Sequence, residues 1–192
     1  MNYEIHITLC SIQHSNIDEF VKDCKEIGVK PIVIETQNKN NFGIQVMTSS
    51  KHSGSHYLFT LNDLCSKLEP KYTIQRKKVE IQPETEINKE HIYYETHLRL
   101  KLPIGFDYTL IYKLCDNFNF HLSKNLFKKD ENYIWQMITY RDYSKNYNNF
   151  ENIINNMSNQ LEALNIFCDK IEIEECVYDS NVEVDKSWLK ND

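Results

Sequence analysis

Alanine occurs once in this 192-residue chain, at Ala163, and arginine three times, at Arg76, Arg99 and Arg141. Asparagine, lysine and isoleucine fill the places these residues usually take, as expected of AT-rich coding. "KNYNNFENIINNMSNQ" is then a helix surface of biased composition and not a functional tract. The same bias gives weight to the three arginines. Lysine replaces arginine readily here, so an arginine marks a place where a planar fork is needed, such as a carboxylate or phosphate. No run approaches the roughly 18 apolar residues of a membrane helix. The N-terminal "MNYEIHITL" enters a strand pattern directly, with no leader-like segment, so a cytoplasmic location and no membrane partner are expected. A basic excess is also missing: the net charge is −6, which argues against broad DNA binding. None of the six cysteines forms a Cys-x-x-Cys. Reduced, mostly buried thiols are expected, and no metal site.

What is present is alternation. "YEIHITLCSI" reads as a strand and "SNIDEFVKDCKEIG" as a helix ending at Gly28. "VKPIVIET" and "FGIQVMTSS" are strands, "YLFTLNDLCSKLE" a helix, and "YTIQRKKVEIQ" a strand. After the polar "PETEINKE" the order resumes. "IYYETHLRLKL" is a strand, "DYTLIYKLCDNFN" a helix, "FHLSKNL" and "YIWQMITYR" strands, "NNFENIINNMSNQLEALN" a helix, and "CDKIEIEECVY" the last strand. His97 lies 91 residues after His6, and the same offset links Cys24 to Cys115, Gln45 to Gln136 and Thr48 to Thr139. These regularities predict an α+β protein built by tandem duplication of a βαββαβ, ferredoxin-like unit. The expected form is two antiparallel sheets related by a pseudo-two-fold around a central cleft. The expected lobes are residues 1–82 and 92–178, with a linker at 83–91 and a tail at 179–192.

Strand alternation assigns the faces. Tyr3, Ile5, Ile7 and Leu9 share one face of the first strand, and Glu4, His6 and Thr8 the other. In the second copy Glu95, His97, Arg99 and Lys101 lie opposite Tyr94, Thr96, Leu98 and Leu100. The apolar faces should meet the helices, leaving both Glu-x-His pairs on the open side. Arg76, Lys78 and Glu80 alternate together, as do His121 and Ser123, Thr139 and Arg141, and Glu172 and Glu174. A sheet face this polar is costly to bury unless a ligand or water satisfies it. His14, His52, His56 and His91, in polar or loop segments, are expected at the surface. In the tail, Asp179, Ser180, Asn181 and Asp185 could cap the cleft or bind a cation, and Tyr178 and Trp188 could pin the segment. The stretch "VYDSNVEVDKSWL" is similar to the end of an uncharacterised bacterial and viral family.

His6-Ile7-Thr8 on a strand of a repeated α+β unit resembles the two-histidine (LigT-like) phosphoesterases. At the equivalent position the triplet is His97-Leu98-Arg99, so the second hydroxyl is missing. The resemblance implies His6 and His97 as an acid/base pair on a nucleotide or RNA-end phosphate, possibly cyclic. Thr8, Arg76, Lys78, Arg99, Arg141, His121 and Ser123 would hold the phosphate, with Glu4, Glu95 and Glu172 as accessories, and neither metal nor cofactor is called for. The acidic strand "KIEIEE" and the Arg/Lys-bearing strands also resemble the triphosphate-tunnel (CYTH) proteins, which implies a metal-dependent phosphohydrolase. The tunnel motif Glu-x-Glu-x-Lys is replaced here by Glu4-Ile5-His6-Ile7-Thr8. A third reading is a non-catalytic module that binds a small anionic ligand or a partner.

Overall fold

A computed structural model describes residues 1–38, 41–83 and 91–185, with the side chains at 37–38, 41–42 and 128–129 outside the described set. Eight strands carry the fold: β1 (Asn2–Leu9), β2 (Lys30–Asn38), β3 (Asn41–Ser53), β4 (Ile74–Ile81), β5 (Tyr93–Pro103), β6 (His121–Lys129), β7 (Tyr133–Asp142) and β8 (Cys168–Asp179). Among the described residues four α-helices sit between them: α1 (Ile17–Glu26), α2 (Tyr57–Leu68), α3 (Thr109–Phe118) and α4 (Tyr147–Ala163). No helix among the described residues is long and apolar enough to cross a membrane.

The strands do not form two sheets about a cleft. All eight join in one closed antiparallel barrel, in the order β1-β3-β2-β6-β7-β5-β8-β4 and back to β1. This overturns the expectation of two separate ferredoxin-like sheets from a duplicated unit. The physical reason lies at two seams. β2 pairs with β6 through Ile34↔Asn125, Glu35↔Lys124 and Thr36↔Ser123. β4 pairs with β8 from Lys78↔Asp179 to Ile81↔Glu175, with a bulge between Val79 and Glu80. Strands that would otherwise be edges satisfy their backbone groups across these seams, and the open face becomes an interior. The expected linker at 83–91 falls mostly outside the described residues, as does Trp188 of the tail.

The helices form because their apolar residues recur at helical spacing. In α1, Phe20 and Cys24 are buried one turn apart while Asp18, Glu19 and Lys25 stay outside. In α4, Phe150, Ile154, Met157 and Leu161 recur every three or four residues over about three turns. After α1 the chain turns at Gly28 with φ of 75°, and α3 stops at Asn119 with φ of 58°. Both use the left-handed region, which glycine adopts freely and asparagine tolerates.

These helices pack outside the barrel and divide the core in two. Tyr3, Ile5, Ile7 and Leu9 of β1 meet Phe20, Cys24, Leu61 and Leu64 of α1 and α2. Leu98, Leu100 and Leu102 of β5 meet Ile111, Phe150, Ile154 and Met157 of α3 and α4. The apolar stripes of β1 and β5 therefore point outward, onto helices, and their polar stripes point into the barrel. Two histidines depart from the surface role expected of them. His91 is buried, its ring centroid 4.2 Å from that of Tyr94. His52 lies on β3 and not in a loop, stacked on Tyr3 at 5.7 Å.

Because Leu98 is wholly buried between β5 and its helices, Leu98→Ala should cost about 2–5 kcal/mol. Urea unfolding should show this as a lower midpoint at unchanged slope.

Candidate functional site: a charged chamber inside the barrel

The interior holds a cavity of about 510 Å³, within the range that takes a small organic molecule. Its two walls differ in chemistry. On one side β3, β2, β6 and β7 contribute Ile32, Ile34, Met47 and Met137, with the neutral polar Gln45, Ser49, Ser123, Asn125 and Thr139 between the charged Lys30 and Lys51 at one end and Arg141 at the other. On the other side β1, β4, β5 and β8 contribute Glu4, His6, Arg76, Lys78, Glu95, His97, Arg99, Glu172 and Glu174. Register explains how the charged wall is built. His6 lies opposite Lys78, Glu95 opposite Glu174 and His97 opposite Glu172. Inward-pointing positions on neighbouring strands thus fall side by side.

The cavity also changes along its length. Lys30 begins β2, Lys51 is near the end of β3, Arg99 is near the end of β5, and Lys170 is near the start of β8. Antiparallel pairing puts all four at one end, where they line the mouth. Lys51 reaches Glu4 at 3.2 Å while its own side chain stays 72% exposed. Arg99 does not point at a partner across the chamber. It makes a two-pronged bond to Asp169, at 2.7 and 3.0 Å.

Midway lie the two histidines. His97 Nε2 is 3.1 Å from a Glu95 oxygen and 3.8 Å from Glu174, and its Nδ1 is 2.9 Å from the Thr139 hydroxyl. Burial works against the charge on this ring, but the Glu95 hydrogen bond and the Glu95 and Glu174 charges outweigh it and raise the pKa from 6.5 to about 9. His97 is therefore an imidazolium at neutral pH. His6 Nε2 sits 3.1 Å from Glu80 and 3.5 Å from Glu4, and its buried Nδ1 meets no hydrogen-bond partner among the described residues. Lys78 bridges Glu80 at 2.7 Å and Glu95 at 2.9 Å. Burial pushes the Glu174 carboxyl up, and the nearby Glu80 charge adds to this, taking it to about 7 against the opposing pull of His97, His6 and Lys78. Glu95 moves the other way. Despite burial, Arg141 and Lys78 hold it well below the usual carboxylate range.

At the far end two arginines are almost wholly buried. Arg76 donates to Asp179 at 2.9 Å and to the Tyr93 hydroxyl at 2.8 Å. Arg141 donates to Glu95 at 2.6 Å and lies over the Tyr93 ring at 4.3 Å. Both also reach Asp185, which sits in the 3-10 turn Val182–Asp185 that follows β8.

Of the residues expected from sequence, Glu4, His6, Thr8, Arg76, Lys78, Glu95, His97, Arg99, Ser123, Arg141 and Glu172 line this cavity, and His121 does not. Residues missed by that reasoning include Ser49, which donates to Glu4, and the apolar group Ile32, Ile34, Met47 and Met137. Single half-buried apolar residues carry no signal in a sequence. Only the strand period could have placed them inward. No group of His, Cys, Asp and Glu that could hold a metal ion occurs among the described residues.

Fold and site together define a class: a closed, helix-wrapped antiparallel α+β barrel with a charged internal chamber. No family model matches the chain, and no curated protein does. Similar solved structures include the small subunit of acetolactate synthase from Thermotoga maritima. That match is 10% identical with a TM-score of 0.34, covering 93% of this chain and 96% of that one. A heme-binding protein from Thermus thermophilus is 10% identical with a TM-score of 0.32, covering 91% and 90%. An anthrone oxidase-like protein is 7% identical with a TM-score of 0.26, covering 93% and 92%. Likenesses this distant lend this chain no function. The hydrolase and phosphoesterase reading is corrected on the site itself. There is no cleft between two lobes, both imidazoles are held by carboxylates, and Arg99 is committed to Asp169.

A raised histidine pKa stabilises the fold below the unfolded value of 6.5, and that stability is lost as pH rises through about 9. The difference corresponds to on the order of 3 kcal/mol. Wild-type stability should therefore fall between pH 7 and pH 10, and His97→Gln should flatten much of that fall. Denaturant melts across the range check this, with an NMR titration of the His97 ring expected to centre near 9.

Proposed function

We propose that the barrel is a binding chamber for a small amphipathic anion, an organic molecule with an apolar body and an acidic group. The observation that carries this reading is the asymmetry of the cavity. A wall bearing Ile32, Ile34, Met47 and Met137 faces a wall of ion pairs, and Lys30, Lys51, Arg99 and Lys170 line the mouth. An apolar body gains by leaving water against the first wall, at roughly 25 cal/mol per Å². Lys51, Arg99 and Lys170 are paired with Glu4, Asp169 and Glu172, so steering of an anion at the mouth rests on Lys30 and on exchange of these pairs for the ligand. The ion pairs around Glu95 and Lys78 are already formed, so this part of the wall is set before a ligand arrives. A small phosphorylated molecule belongs to this class of ligand, and so does an aromatic or aliphatic carboxylate.

The test is a thermal-shift panel of aryl and alkyl carboxylates and phosphates, nucleotides, and matched neutral and cationic analogues. At a concentration 100 times Kd, binding stabilises by about 2.7 kcal/mol. For a chain of this size that is a rise in melting temperature of roughly 5–10 °C. Anionic amphiphiles should give the rise and their neutral analogues should not. Met137→Trp, which fills the apolar side, should abolish it, and Lys51→Glu should weaken it in a salt-dependent way. A rise with cationic members alone would overturn the reading.

A further inference from the structure

Asp185 differs from the other charged groups of the chamber in its origin. Arg76, Lys78, Glu80, Glu95, His97, Arg141, Glu174 and Asp179 all sit on barrel strands, whereas Asp185 arrives on the turn after β8. Its side chain is 2% exposed. Its Oδ2 accepts from Arg141 Nη2 at 2.8 Å and from Arg76 Nη1, and its Oδ1 accepts from Gln45 Nε2 at 3.2 Å. Three donors from β4, β7 and β3 thus converge on one carboxylate, which crosses the end of the barrel to reach them. Gln45, Arg76, Arg141 and Asp185 all line the cavity.

The arginines do not depend on Asp185 for their position. Arg76 keeps Asp179 and the Tyr93 hydroxyl, and Arg141 keeps Glu95 and the Tyr93 ring. Glu95, however, is shared among Arg141, Lys78 and His97. Without Asp185 this end of the chamber is one carboxylate short, with two guanidinium forks and an amide still aimed at the vacated place. That arrangement is how a protein binds a free oxyanion.

We infer that Gln45, Arg76 and Arg141 form the chamber's oxyanion subsite, and that Asp185 occupies it as a built-in substitute for the acidic group of the ligand. This deepens the reading above and rests on it for the identity of the ligand, though not for the existence of the subsite. The tethered carboxylate competes through its high effective concentration. A ligand whose acidic group reaches this end must displace it, and ligands that stay near the mouth need not.

The test is chemical rescue with acetate and formate. Asp185→Ala and Asp185→Ser are melted in sodium acetate or sodium formate and in sodium chloride of equal ionic strength. Both variants should melt several degrees below wild type in chloride. At 100 mM acetate at least half of the loss should return, while wild type should not respond. Anionic members of the thermal-shift panel that reach this end should bind Asp185→Ala at least tenfold more tightly than wild type. If Asp185→Ala is too unstable to melt, Asp185→Ser carries the comparison. Acetate acting no better than chloride on the variants, or equally on variants and wild type, would overturn the subsite. Rescue together with a panel that fails on wild type and variants alike would leave the subsite standing and remove the amphipathic-anion reading, so the two failures are distinct.

Discussion

Closure of the sheet is the constraint on which the rest of this molecule depends. A strand has two faces, and in β1, β4, β5 and β8 the outward one is mainly apolar and the inward one is charged. Helices cover the apolar face on the outside. Joining β2 to β6 and β4 to β8 then leaves the charged face nowhere to go but inward. Charges removed from water must be paired or they cost several kcal/mol each. The barrel meets this demand through Glu95, which serves Arg141, Lys78 and His97 together, and through the aspartates that hold Arg76.

The pairing also sets the protonation of the site. Where a carboxylate lies against three cations, as Glu95 does, burial cannot neutralise it. Where a carboxyl faces another carboxylate, as Glu174 faces Glu80, burial and repulsion act together and its pKa climbs to about 7. The chamber therefore carries a fixed imidazolium at His97 beside a carboxyl that titrates near neutrality. Groups of similar sequence character end with different charge because their neighbours differ, which is the usual origin of perturbed groups in binding sites.

Much of the local structure was legible in the sequence. The four helices and eight strands follow from apolar spacing, and period-two alternation put Glu4, His6 and Thr8 on one face and Tyr3, Ile5 and Ile7 on the other. The three arginines stood out because the composition disfavours them, and Arg76 and Arg141 now lie at the buried end of the chamber. The misjudgements share one cause. Arg99 lines the cavity, but nothing in the sequence pointed to Asp169 as its partner. His121 shares its strand face with Ser123 but does not line the cavity. His91 read as exposed and is packed on Tyr94. Each depends on what lies across the fold, and alternation reports only the face of a strand, not what that face meets.

By itself, then, the sequence determined the elements, their order and the inward or outward sense of the charged strand positions such as Glu4, His6, Glu95 and His97, because these are set by local periodicity. Only the tertiary structure decided that the polar faces enclose a chamber and do not flank a cleft, since that depends on two seams between strands far apart in the chain. It likewise decided that Asp185, one of several polar residues beyond the last strand, sits against two arginines brought there by β4 and β7. Long-range pairing of charge has no sequence period, so no pattern in the chain could announce it.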